Sequence, residues 1–110
     1  MLNSINPVNN KLIRSYEEMD SHQITEIISL ADEEFYRWRE TELTSRIDLM
    51  KNAAGILREN VDIYAKLMTV EMGKPFLQAK AEVEKCAWVC DYYADNAAKF
   101  LQDEIIKALF

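Results

Sequence analysis

A chain of 110 residues sets one modest domain as the ceiling, and 49 % hydrophobic against 29 % charged residues is a globular balance rather than a disordered one. The 13 Lys and Arg against 19 Asp and Glu leave a net charge of -6, a sign that repels phosphate backbones and anionic membranes and argues against a nucleic-acid or membrane partner. With only Gly55 and Gly73 where average usage gives about seven or eight glycines, a Rossmann or Walker loop is excluded within the chain, because each needs several glycines to bring backbone up to phosphate.

Met1 to Asn10 carries neither a basic patch nor an apolar h-region, so no signal peptide is read and a cytoplasmic location is expected. The longest uninterrupted apolar run, Cys86 to Cys90, is far too short to span a bilayer. Residues 1–20 are the one long stretch without helical spacing. Asn6-Pro7 and Asn9-Asn10 are turn chemistry, and the alternation from Lys11 to Tyr16 suits a strand leading away from them, so a short β-hairpin is predicted.

From Asp20 the period becomes helical: Ile24, Ile27, Ile28, Ala31, Phe35 and Trp38 form one continuous stripe. Asp20 with Gln23, or Ser21 alone, can cap its start, and Glu33 and Arg37 are placed to pair across one turn. A second stripe runs Leu43, Ile47, Met50, Ala54, Leu57 and Val61, with Thr41 or Thr44 as its expected cap. Its small patch Ala53-Ala54-Gly55 suggests close approach by another helix. Asn60 reads as a break and a new cap, and Tyr64, Leu67, Met68 and Met72 carry a third, shorter helix to Gly73. Gly73-Lys74-Pro75 is a corner, since glycine takes the left-handed conformation past a helix end and proline suits the next start.

Beyond it Phe76, Ala79, Val83, Cys86, Cys90, Ala94, Ala97 and Leu101 keep helical spacing for roughly seven turns. Between Cys86 and Ala94 every residue except Asp91 is apolar or aromatic, so side chains point out greasy almost all round the axis. Three helices and a hairpin cover only part of that perimeter. A larger body packing against this segment is therefore implied.

Each candidate for chemistry also has a structural explanation, and that explanation is preferred. His22 reads as an exposed helix-start residue with no nucleophile near it in sequence. Cys86 and Cys90 lie four apart on one helix and invite a metal or redox reading, but further ligands are missing and buried thiols packing as small hydrophobes are expected. The pairs Glu17-Glu18, Glu33-Glu34 and Asp103-Glu104 read as solvated surface, because neighbours on a helix diverge by about 100°. Trp38, Trp88, Tyr92 and Tyr93 lack the interleaved Lys and Arg of a base-stacking platform and read as core.

The order of words along the chain then matters: Asn6-Pro7, Trp38-Arg39, Arg46-Ile47-Asp48-Leu49-Met50-Lys51-Asn52-Ala53-Ala54 with Leu57-Arg58, Glu71-Met72-Gly73-Lys74-Pro75, Ala81-Glu82-Val83-Glu84-Lys85 and Asp91-Tyr92-Tyr93-Ala94. From about residue 5 to 104 the chain resembles the beginning of the NAD(P)-dependent aldehyde dehydrogenase superfamily. The stretch Glu84 to Cys90 looks most like its succinate-semialdehyde dehydrogenase branch.

The resemblance implies a mainly α segment, a hairpin over 1–20 and about four helices over 21–110, together one partial domain: the N-terminal helical layer of an α/β coenzyme-binding domain. It implies oxidation of an aldehyde to the acid with NAD or NADP, in which a cysteine thiolate attacks the carbonyl, hydride leaves to the nicotinamide and water releases the acyl group. Those residues come later in the family. Cys86 and Cys90 do not match the nucleophile motif and Glu71 does not match the general base, so no catalytic, cofactor-binding or metal residue is assigned here and the chain alone is expected to be inactive.

The expected partner is the remainder of such a subunit, or another copy through the apolar face near Trp88 and Tyr92. Ile105 to Phe110 departs from the family pattern, as a frameshifted, prematurely stopped or cut chain would. The alternative of another class is a free-standing helical interaction module using that same face; a thiol metal or redox site is a third reading.

Overall fold

The computed structural model describes residues 1–109; Phe110, the last residue of the predicted helical segment, lies outside the described residues. Strands β1 (Leu2–Ile5) and β2 (Leu12–Tyr16) pair antiparallel, Leu2 opposite Tyr16, with a register shift between Ser4 and Ile5. The connecting turn is built by asparagines. Asn6 Oδ1 accepts from the Val8 amide at 2.9 Å, Asn9 Oδ1 accepts from the Lys11 amide at 3.0 Å, and Asn10 takes a φ of 58°, a left-handed conformation that Asn tolerates better than most residues.

Four helices follow: α1 (Ser21–Trp38), α2 (Leu43–Glu59), α3 (Val61–Met72) and α4 (Phe76–Phe100). The start of α1 is the expected capping box, in which Asp20 Oδ1 accepts from the Gln23 amide at 2.8 Å and Gln23 Oε1 accepts from the Asp20 amide at 3.0 Å. Arg37 pairs with Glu34 at 2.6 Å, not with the predicted Glu33, since the third and fourth neighbours along a helix are equally reachable.

Neither threonine caps α2. Glu42 occupies that position without a side-chain bond, and the Thr41 hydroxyl instead donates to the Trp38 carbonyl at 2.6 Å, closing the end of α1. Asn60 does break α2 from α3, but its side chain turns backwards: Nδ2 donates to the Ile56 carbonyl at 2.9 Å and leaves α3 without a side-chain cap. Gly73 ends α3 at a φ of 72°, as the corner requires. Helix α4 stops at Phe100, with Leu101 as its cap, and residues 103–109 have no regular structure.

Ion pairs give the layout. Lys80 meets Asp62 at 3.0 Å, Arg58 meets Asp91 at 2.7 Å, and Lys51 approaches Asp95 at 3.9 Å, so numbers fall along α3 and α2 as they rise along α4. Helices α2 and α3 therefore form one broken rod laid antiparallel against α4. Small residues let the backbones approach: Ala54, Ala65, Ala79, Val83, Ala87 and Ala94 are the buried residues, with Leu57, Val61, Tyr64 and Met68 packed around the Ala65, Ala79 and Val83 cluster. Ala54 bears out the small patch on α2. Its neighbour Gly55 does not, because a Cβ there would meet open space.

The hairpin leans on the far end of this pair. Ser4 Oγ donates to Glu71 Oε1 at 2.7 Å, and Pro7 lies 3.3 Å from where a Gly73 Cβ would stand. Helix α1 is different: none of its residues is buried.

Candidate functional site

Residues flagged for chemistry are dispersed. His22 is exposed in the first turn of α1. Glu17 and Glu18 precede that helix, where Glu18 pairs with the N-terminal ammonium at 2.9 Å, and Asp103 and Glu104 follow α4; neither pair lies on a helix as supposed. Among the described residues no three His, Cys, Asp or Glu side chains converge as a metal centre requires.

The expectation of buried thiols is corrected. Cys86 is exposed and Cys90 only half-buried, both as free thiols. At about 100° per residue, Ala79, Val83, Ala87 and Ala94 share one side of α4, the side facing α2 and α3; Cys90 falls within that arc and is half-buried, and Cys86 lies just past its edge and is exposed. Cys86 instead lines an open groove of about 600 Å³ with Ala81, Glu82, Lys85 and Val89, all from the outer side of α4.

The aromatics expected in the core also stand outside it: Trp88 is 60 %, Tyr92 44 % and Tyr93 53 % exposed. Their rings form a connected ladder, with Trp88 to Tyr92 at 6.3 Å, Tyr92 to Tyr93 at 5.3 Å and Tyr92 to Phe100 at 6.2 Å between centroids. Such pairs are the usual apolar anchors of interfaces. Asp91, the one charge in this stretch, is tied down by Arg58 on the side nearer α2. Helix α4 is thus covered on one side and greasy on the other.

Sequence reasoning anticipated that half-covered helix but missed a second uncovered surface. Ile24, Ile27, Ile28, Phe35 and Trp38 of α1 are all exposed, and so are Ile63 and Leu67 on the outer side of α3. The signal was present as the α1 stripe, yet periodicity announces a face without naming what meets it.

Global dimensions measure the shortfall. The accessible surface is 9519 Å², about 3,200 Å² more than the roughly 6,300 Å² expected for a compact monomer of this mass. The radius of gyration is 20.1 Å where a compact chain of this length has about 13 Å. Among the described residues no helix is long and apolar enough to cross a membrane, so this surface does not form a helical membrane span.

The backbone offers no phosphate cradle at either glycine. Gly55 is mid-helix in α2, and Gly73 is closed off by Pro7. Neither glycine therefore forms a phosphate-binding turn.

The aldehyde dehydrogenase family model matches residues 1–109. The chain belongs to the aldehyde dehydrogenase family. A probable NADP+ succinate-semialdehyde dehydrogenase of Synechocystis is 38 % identical over 103 residues, covering 94 % of this chain and 23 % of that protein. An NADP+ succinate-semialdehyde dehydrogenase of Deinococcus radiodurans is 31 % identical over 94 % of this chain and 22 % of its own length. The crystal structure of succinic semialdehyde dehydrogenase from Streptococcus pyogenes with NADP+ superposes with a TM-score of 0.90 at 33 % identity, over 96 % of this chain and 24 % of that one.

The chain thus spans less than a quarter of the length of these curated relatives, and it matches their N-terminal region. The expected fold, a hairpin followed by four helices, is the one found in this family member. The free-standing module is not favoured by these matches.

Proposed function

We propose that this chain supplies the N-terminal helical layer of the coenzyme-binding domain in an aldehyde dehydrogenase subunit, with the hairpin of 1–20 and the helical segment of 21–110 acting as one partial domain. The whole subunit oxidises an aldehyde of the succinate-semialdehyde class to its acid with NADP or NAD in the cytoplasm. The observation that supports this reading is the coincidence of a 0.90 TM-score over 96 % of the chain with two helices whose apolar sides are left exposed among the described residues.

The coenzyme, when bound by a whole subunit, accepts the hydride. This chain's own residues have a different task. The alanine contacts hold α4 against α2 and α3, and that support presents Trp88, Tyr92, Tyr93 and Phe100 as a rigid apolar wall for the remainder of the subunit. No catalytic, coenzyme-binding or metal role is assigned to His22, Glu71, Cys86, Cys90 or any other residue. In the isolated chain the face around Trp88 and Tyr92 is where copies associate weakly.

Incubation of the chain with succinate semialdehyde and NADP+ or NAD+ is expected to leave absorbance at 340 nm unchanged. Sustained formation of reduced coenzyme would show that the chain contains a catalytic centre of its own, and the proposal would fall.

A further inference from the structure

We propose that Asn10 is a latent deamidation site that the Asn9 side chain holds off, and so the place where the hairpin is first modified when that hold is lost. The chemistry is intrinsic to asparagine. The backbone nitrogen of the following residue loses its proton to base and attacks the side-chain carbonyl carbon; ammonia leaves, and water opens the resulting succinimide to aspartate or isoaspartate. No oxidant or cofactor takes part. The rate depends on whether that backbone N–H is free to lose its proton and turn toward the amide.

The turn between β1 and β2 contains three asparagines, and each is blocked in its own way. Asn6 is followed by Pro7, which has no N–H to lose. Asn9 is followed by Asn10, whose amide donates to the Asn6 carbonyl at 2.8 Å. Asn10 is followed by Lys11, whose amide donates to Asn9 Oδ1 at 3.0 Å. The first block is covalent and the second is made by backbone alone. Only the third depends on a side chain, and Asn9 and Asn10 are both exposed, so water and base reach the reacting groups. Asn52 and Asn96 differ: they lie inside α2 and α4, where the amide after each is tied to a carbonyl four residues back.

Conversion to isoaspartate routes the main chain through the former side chain and adds one carbon to the turn. The bond from the Asn6 amide to the Lys11 carbonyl, 2.9 Å long, then no longer closes as it does now. Because β1 carries Ser4 to Glu71 and the turn carries Pro7 to Gly73, that change loosens the hairpin from the end of α3.

The test is to age the whole protein in warm, mildly alkaline buffer and follow the tryptic peptide ending at Lys11 by mass spectrometry. Deamidation exchanges NH for O, and fragment ions assign it to Asn3, Asn9 or Asn10. Asn9→Ala is expected to speed conversion of Asn10 roughly five-fold, the worth of one ordinary hydrogen bond. Asn9→Asp keeps an acceptor at the same place and is expected to stay as slow as the unaltered chain. Asn3, in β1 of the same hairpin, is the control for melting.

Acceleration at Asn10 alone, reversed in Asn9→Asp, supports the proposal. An unchanged rate at Asn10 in Asn9→Ala overturns it, and so does equal acceleration in Asn9→Asp. If Asn3 and Asn10 speed up together, the substitution has opened the hairpin as a whole, and a specific hold by Asn9 is overturned as well.

Discussion

Helices α1 and α4 are built on the same spacing and meet different fates. Each carries apolar residues at helical intervals for its whole length, yet α4 buries Ala79, Val83, Ala87 and Ala94 whereas α1 buries nothing. The difference lies in side-chain size opposite a partner. On α4 the residues that meet α2 and α3 are mostly alanines, which allow close backbone approach, while its large aromatics point away. On α1 the stripe is mostly large side chains, Ile24, Ile28, Phe35 and Trp38 among them, and these need a partner surface that has room for them. Amphipathic spacing makes a helix ready to pack; complementarity chooses what it packs on.

The sharpest test of that contrast is Ala79→Leu. With Ala79 fully enclosed against Ala65 and Val83, the added side chain must force α3 from α4, and a loss of about 1–3 kcal/mol is expected from urea unfolding of the isolated chain. An unchanged midpoint would mean that the alanine contact is not what holds α4.

Gly73→Ala should come next, at about 1–2 kcal/mol. A φ of 72° is unfavourable for any residue with a Cβ, and that Cβ would press on Pro7 at 3.3 Å. The same melt reads it, and retention of full stability would show that the corner relaxes freely.

Arg58→Ala is expected to cost less than about 1 kcal/mol. The guanidinium reaches Asp91 at 2.7 Å, but its side chain is 43 % exposed, so water screens most of the attraction. A double-mutant cycle with Asp91→Ala isolates the pair, and a coupling well above that bound would make it a principal clamp between α2 and α4.

The smallest global effect belongs to Asp20→Ala. Losing the capping box weakens the start of α1 by about 0.5–2 kcal/mol locally, and hydrogen exchange at the amides of residues 23–27 should speed up accordingly. The urea midpoint of the rest of the chain should not move, because α1 contributes no buried residue to it. A drop matching that of Ala79→Leu would erase the contrast between the two helices.

Local punctuation was the most legible part of the fold. Asp20 with Gln23, Asn6 through Asn10, and Gly73 before Pro75 act through bonds or dihedrals spanning a few residues, so their outcome is written in adjacent letters. The failures have two causes. Thr41 and Asn60 each had competing local partners and took the carbonyl behind them, Trp38 and Ile56, rather than capping the helix ahead, whereas Cys86 fell just outside the arc of α4 that α2 and α3 cover, which depends on elements elsewhere in the chain. The expectation that Trp88, Tyr92 and Tyr93 are core failed for that second reason, and the all-round greasiness of that stretch is left partly uncovered among the described residues.

By itself the sequence determined where the helices begin and end, which residues share a face, and the family whose words it carries, because propensity, capping and spacing are short-range. Only the tertiary structure decided which face is covered. Burial depends on whether two surfaces distant in sequence fit closely enough to exclude water, and here Ala65, Ala79 and Val83 fit one another while the aromatic side of α4 and the stripe of α1 stay exposed among the described residues.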